Sequence, residues 1–322
     1  MKTYFPFVIV ALIFFSGCNT KTSLHEAETL SHQSEISISG AYALAPLMQL
    51  WVDEFRKTHP FVKFNINANG TDLGLKEVLQ NKVDLAMISN EIPKGMDSLL
   101  QIVPVARLGV VPVISSKNPY MTEILHKGMT RDELAGLFTN DKPKTWGDFY
   151  GKPQQDPVKI YIRADSSGAT KVLAKYLWVD QNEIKGKGIE GEIKLVEAIK
   201  TDPLALGYCN FIYALDSATK QFSKDICVLP VDFNQNGIID WKEKIFNNAA
   251  ELQRAMWLGK FPCSLIRNLY LVTKGKPHSR EVAEFLYWVI TDGQKIVACN
   301  GYIELHSGEI QFLVNALKMN SK

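Results

Sequence analysis

Three times in this chain a short apolar run gives way to a turn of small residues and then at once to a helical pattern. The segments are ISISGAYALAPLMQLW (36–51), FNINANGTDLGLKEVL (64–79) and KIYIRADSSGATKVLAKYL (159–177). A strand that runs straight into a helix cannot pair with its successor through a tight hairpin. Its partner lies beyond a helical crossover, which makes the pairing parallel. This alternation predicts an α/β fold with a mostly parallel sheet.

The pattern holds in detail. In the first helix Leu44, Leu47, Met48, Trp51, Val52 and Phe55 recur in steps of three and four and make one apolar face, with Asp53, Glu54, Arg56 and Lys57 opposite. His59-Pro60 stops it. VKFNINA alternates as a strand, VDLAMIS reads as a buried strand, and VPVARLGVVPVISSKNP gives more strand. TRDELAGLFTN is a helix with Thr130 as N-cap and Glu133 closing a capping box. EVAEFLYWVITDGQKIVACNG reads as one long helix stopped by Gly301, and KIFNNAAEL as another helix. With 322 residues the chain can hold two domains. The expected division is residues 36–115 plus 265–322 as lobe 1 and 116–264 as lobe 2.

The N-terminus stands apart. MKTYFPFVIVALIFFSGCNTK opens with one Lys, Lys2, followed by an apolar run too short to span a membrane and small residues before Cys18. Residues 1–17 read as a signal peptide. Ser16-Gly17-Cys18 resembles the bacterial lipobox, in which cleavage precedes the Cys and the thiol takes a diacylglycerol. Plain secretion is the alternative; Cys18 directly after two small residues favours the anchor. Residues 18–35 then form a lipid-anchored tether on the periplasmic or extracellular face of a bacterial membrane. A formal net charge of +2 gives no reason to expect nucleic acid or an anionic membrane surface as partner. Cys209, Cys227, Cys263 and Cys299 show no Cys-x-x-Cys spacing; disulfides are allowed in an exported chain, and four small buried hydrophobes are as good a reading.

The three turns share a chemical meaning. In α/β sheets ligands bind beyond the carboxyl ends of strands, against helix N-termini whose unpaired N–H groups and dipole favour an anion. Arg163, at the end of its strand, adds a fixed charge and forked donors. Each turn alone reads as an ordinary helix cap; three turns plus an Arg point to an anion without naming it.

ISGAYALAPLMQLWVDEFRKTHPFVKF, GTDLGLKEVLQNKVDLAMIS and RADSSGATKVLAKYL resemble the PstS-type phosphate-binding components of bacterial ABC transporters. The similarity continues through LFTNDKPKTWGDF, DPLALGY, FPCSLIRNLYLVTKG and GQKIVACNGYIEL, in order, over nearly all of the chain after the tether. The resemblance implies a two-lobed type II periplasmic binding protein fold with the ligand cleft between lobes. It also implies a monomer that delivers inorganic phosphate to ABC transporter permease subunits and is not an enzyme. Carried onto this chain, the charge-neutralising Arg is Arg163, held by Asp165. The loop after it becomes Ser167, Gly168 and Ala169, the second-loop hydroxyl is Thr71, and the first-loop contacts fall on Ala41, Tyr42 and Ala43. This chain departs from the family pattern in the first loop, where Ala41-Tyr42-Ala43 replaces Ser or Thr and only Tyr42 offers a longer phenol, and at Ala169, where a Thr hydroxyl is lost and Thr170 is the neighbour able to compensate. Asn90 stands where some members carry an Asp that accepts the proton of hydrogen phosphate. An amide can also donate and would not exclude sulfate as a carboxylate does. Another oxyanion such as sulfate is therefore the alternative ligand, and a non-transport, adhesin-like surface protein of the same fold the alternative function.

DFNQNGIIDWKE (232–243) has a logic of its own. Oxygen ligands at positions 1, 3, 5, 9 and 12 of a calcium loop fall on Asp232, Asn234, Asn236, Asp240 and Glu243, with Gly237 at the sharp turn and Ile238 offering its carbonyl at position 7. A strand before and a helix after it suggest a lone structural Ca2+ loop of modest affinity rather than a switch. An acidic glycine turn is the alternative. For catalysis the sequence offers little: no Gly-x-Ser-x-Gly, no Walker loop and no His-Glu-x-x-His, with six scattered His.

Overall fold

The computed structural model describes Met1 and residues 34–320, except 94, 97, 140–143 and 166. The expected signal peptide, Cys18 and nearly all of the tether lie outside the described residues. No helix among the described residues is long and apolar enough to cross a membrane.

In chain order the elements are β1 (Glu35–Gly40), α1 (Ala45–Phe55), β2 (Lys63–Ala68), α2 (Thr71–Leu79), β3 (Leu85–Ile88), β4 (Leu100–Ser115), α3 (Met121–Lys127), β5 (Met129–Thr130), α4 (Arg131–Thr139) and α5 (Trp146–Tyr150). There follow β6 (Lys159–Arg163), α6 (Gly168–Leu177), β7 (Lys187–Ile189), α7 (Glu192–Thr201), β8 (Ala205–Asn210), β9 (Ile226–Val228), β10 (Val231–Asp232), α8 (Ala249–Trp257), β11 (Ile266–Lys274), α9 (Arg280–Ile290) and α10 (Ser307–Asn320).

The main sheet has the order β2-β1-β3-β11-β4-β8-β6-β7, with β9 also on β4. β1 pairs in parallel with β2 and β3, and β6 in parallel with β7 and β8, as the strand–helix alternation requires. The exceptions are β4 and β11. β11 returns antiparallel between β3 and β4. β4 pairs with β11 from Leu100 to Gly109, then with β8 from Val110 to Ile114. One sixteen-residue strand thus belongs to both halves of the sheet. Its register against β11 shifts between Leu269 and Tyr270, opposite Pro104, where a residue without an N–H cannot continue the ladder.

The predicted apolar face of α1 is buried at Leu47, Met48, Trp51, Val52 and Phe55, with Leu44 at the cap. It packs against the C-terminal α9: Phe55 stands edge-on to Phe285 and Trp288, and Trp51 donates to the Gly293 carbonyl at 2.9 Å. The Thr130–Glu133 capping box forms, each backbone N–H meeting the other side chain.

Three sequence expectations are corrected. The long C-terminal helix ends at Ile290; Thr291 leaves helical geometry, and 3-10 turns carry the chain to Gly301, which sits in the left-handed region. KIFNNAAEL is helical only from Ala249, because Asn248 caps the helix by accepting from the Glu251 N–H at 2.8 Å. All four cysteines of the described residues are free: Cys209 is a buried hydrophobe, Cys227 is half-buried, and Cys263 and Cys299 are exposed.

Candidate functional site

The carboxyl ends of β1, β2, β3, β6 and β8 open onto one cavity of about 390 Å³. It is lined by all ten residues read from the turns: Ala41, Tyr42, Ala43, Thr71, Asn90, Arg163, Asp165, Ser167, Gly168 and Ala169.

At the first turn Gly40 takes φ 133°, and a Cβ there would lie 2.2 Å from the Met87 carbonyl oxygen, so only glycine lets β1 press this close to β3. The approach has a cost for the ligand site. The Ala41 N–H is not free; it donates to the Met87 carbonyl at 2.8 Å. Leu44 and Ala45 donate into the turn itself. The N–H groups of Tyr42 and Ala43 take no acceptor among the described residues, so the donors of this turn lie one residue further on than Gly40-Ala41. Tyr42 is exposed, with its ring 3.9 Å from the position of a Cβ on Gly70, and stands over the second turn. Behind the cavity, buried Ser39 bonds to Asn69 and Glu77. Asn69 also donates to Glu77 at 3.2 Å, and the bonds from Ser39 and Asn69 hold the Glu77 carboxyl below its ordinary pKa.

At the second turn α2 begins on Thr71, whose hydroxyl accepts from the Ser89 N–H and meets the Ser89 hydroxyl, both at 3.2 Å. At the third, Ser167 caps α6 through its oxygen and keeps its own hydroxyl hydrogen. Thr170 does not replace the hydroxyl lost at Ala169: it is buried and bonded to the Tyr208 hydroxyl at 2.5 Å, away from the cavity.

Arg163 is held on two sides. Its Nε donates to Asp165 at 2.7 Å, Nη2 also reaches Asp165, and Nη1 donates to Glu192 at 3.3 Å. Burial pulls the guanidinium pKa down, but the bonds to Asp165 and the charges of Glu192 and Asp165 outweigh it and the net direction is up. Arg163 in turn holds the Asp165 carboxyl below its usual range. Glu192, nearly enclosed, is pushed up by burial although Asn210, Arg163 and Arg267 oppose the shift.

Beyond the rest of the second turn and Ser89, the lining adds Asn69, Glu192, Asn210 and Arg267, none of them read from the sequence as site residues. Glu192 accepts from the backbone and side-chain N–H groups of Asn210, and Asn210 Oδ1 accepts from Arg267 Nη2 at 2.7 Å. Burial draws Arg267 down to about 10, which leaves it charged at neutral pH. Asn69 and Asn210 lie at or just beyond strand ends, so the carboxyl-end rule could have found them. Arg267 enters at the start of an antiparallel strand, where that rule is silent.

In the loop 232–243, Asp232 and Glu243 are buried and Gly237 turns at φ 83°. Asp232 accepts from the Asn236 and Gly237 N–H groups, and Glu243 from those of Phe233, Asn234 and Asp240. Asn234 donates to Asp240, and Asn236 accepts from the Ile238 N–H. The carboxylates thus satisfy the loop's own amides, and among the described residues no three His, Cys, Asp or Glu side chains converge to hold a metal.

The PBP superfamily domain matches residues 25–293. The phosphate-binding protein PstS of Methanocaldococcus jannaschii is 23% identical over 97% of this chain and 93% of its own length. PstS of Bacillus subtilis is 27% identical over 59% of this chain, and the match spans 61% of that relative. Among solved structures, a Clostridium perfringens substrate-binding protein with bound phosphate, provisionally assigned to a phosphate ABC transporter, superposes with a TM-score of 0.68 at 18% identity, covering 85% of this chain and 100% of that one. The sheet order, the crossing strand β4 and these matches agree: the chain has the type II periplasmic binding protein fold and belongs to the PBP superfamily, with PstS proteins among its relatives.

Proposed function

We propose that this protein captures inorganic phosphate in the cavity at the strand ends and delivers it to the permease subunits of an ABC transporter, without catalysing a reaction. The observation that carries this reading is the convergence of Arg163 with three helix N-termini on one cavity. Free N–H groups at 42–43 and at the starts of α2 and α6 offer fixed dipoles to an oxyanion, and a dehydrated anion gains most from donors that need no reorganisation. The hydroxyls of Thr71 and Ser167 add donors, and Asn90 faces the anion with an amide. Residues 36–115 plus 265–322 and residues 116–264 act as two lobes that close on the ligand. The protein works as a monomer, anchored through lipid on Cys18 outside the cytosol.

Calcium in the loop 232–243 is a second, structural part of the reading. It is supported by the spacing of Asp232, Asn234, Asn236, Ile238, Asp240 and Glu243 and by the burial of Asp232 and Glu243. Each carboxylate oxygen that accepts one amide keeps a further lone pair for a cation.

A sulfate-type ligand is favoured by one observation: Ala41, Ala169 and the inward Thr170 leave fewer hydroxyls, and Asn90 does not repel a dianion. Calorimetric titration of the purified protein, freed of bound anion, with phosphate and then sulfate separates the two. The expected result is phosphate binding at micromolar or tighter Kd, abolished in Arg163→Ala and unmatched by sulfate. Heat from sulfate alone would reassign the ligand, and no heat from either would favour the adhesin-like function.

A further inference from the structure

We propose that Arg267 is the residue that sets the charge of the anion cavity and thereby lets it hold a dianion; this rests on the phosphate-capture reading above. Arg163 cannot supply net positive charge by itself. It is bracketed by the carboxyl groups of Asp165 and Glu192, which already engage its charge. Asp72, at the start of α2, adds a further carboxyl group on the same cavity. Arg267 is the second guanidinium lining that cavity, and the residue that holds it, Asn210, is neutral.

The donors of Arg267 are also unspent. A guanidinium has five N–H groups. Nη2 serves Asn210, while Nε and Nη1 are buried with no hydrogen-bond partner among the described residues. A desolvated cation in this state is unfavourable until an anion comes against it. The guanidinium is pressed onto the third turn: a Cβ on Gly168 would lie 2.0 Å from Nη1 and 2.8 Å from Asn90 Oδ1. Arg267, Ser89, Asn90 and Gly168 also line a second cavity of about 570 Å³, so the side chain forms part of the wall between the two. A ligand in the anion cavity therefore meets Arg163 on one wall and Arg267 on another. The second cation offsets the hydroxyls missing at Ala41 and Ala169.

Calorimetric titration with phosphate of the wild type, Arg267→Gln and Arg267→Lys, at one pH and salt concentration, tests this. Arg267→Gln is expected to lose about a hundredfold in affinity and Arg267→Lys, which keeps the charge but not the fork, to recover about tenfold of that loss. Phosphate binding by Arg267→Gln within about threefold of wild type would overturn the proposal, and so would equal losses in both variants, which would mark a packing role. A wild type that binds no phosphate would overturn the phosphate reading together with this one, whereas a binding wild type with unaffected variants sinks this one alone. A second measurement needs no variant: at about pH 8 the wild type should bind phosphite, a dianion, about tenfold or more tighter than hypophosphite, a monoanion. Equal affinities would count against a charge-setting Arg267.

Discussion

The hydroxyl of Thr170 points away from the ligand cavity, and this has a measurable meaning. Sequence neighbours suggested it as a substitute for the hydroxyl absent at Ala169, but its bond to Tyr208 serves the core, where Tyr208 also accepts from the Arg163 N–H at 3.2 Å. Thr170→Val should lower stability by about 1 kcal/mol, the worth of one buried hydrogen bond. Phosphate affinity should stay within about twofold of wild type. Urea unfolding and calorimetry on the same preparation check both. A fall in affinity larger than the fall in stability would show that the hydroxyl turns to the ligand in the closed state. The contrast with Arg267 shows where residue-level reading stops. Arg163, Ser167 and Thr71 announce themselves because each sits within a few positions of a strand–helix junction. Arg267 reaches the cavity only because β11 runs back between β3 and β4, a long-range fact that no local pattern contains.

At the scale of elements, periodicity and caps were the dependable signals. The strand–turn–helix units, the buried face of α1 and the Thr130–Glu133 box are all set by residues a few positions apart, and they stand in the structure as read. The extended C-terminal helix does not. Its apolar spacing continues past Ile290, but tertiary contacts such as the Trp51 bond to the Gly293 carbonyl favour a tighter path. The loop 232–243 was legible as a ligand pattern, while the way its carboxylates fold onto their own amides was not. Millimolar calcium should stabilise the protein by RT ln(1 + [L]/Kd), about 2.7 kcal/mol at a hundredfold excess over Kd, and so raise the melting temperature relative to the same protein in chelator. Asp232→Asn should abolish the difference. An unchanged melting curve would mean that the amides alone hold the loop.

For the whole molecule the cavity volume sets an expectation. At about 30 Å³ per water, 390 Å³ is more than a single oxyanion fills. Capture of a dehydrated anion therefore calls for the two walls to approach. Small-angle scattering should show a smaller radius of gyration with phosphate than without, and Arg163→Ala should remove the change. Equal radii would mean that the cavity is already in its binding geometry.

The sixteen-residue β4 gives such a movement its mechanical character. Because that one strand is hydrogen-bonded first to β11 and then to β8, its two ends cannot turn about a slack joint between them. In such a movement the continuous antiparallel pairing would resist bending along the strand, as a leaf spring does, and yield first at the register shift opposite Pro104. Ligand release would then be paced by elastic recoil of a sheet that is already folded, and a bead-for-bead swap of surface loops would leave that pace unchanged.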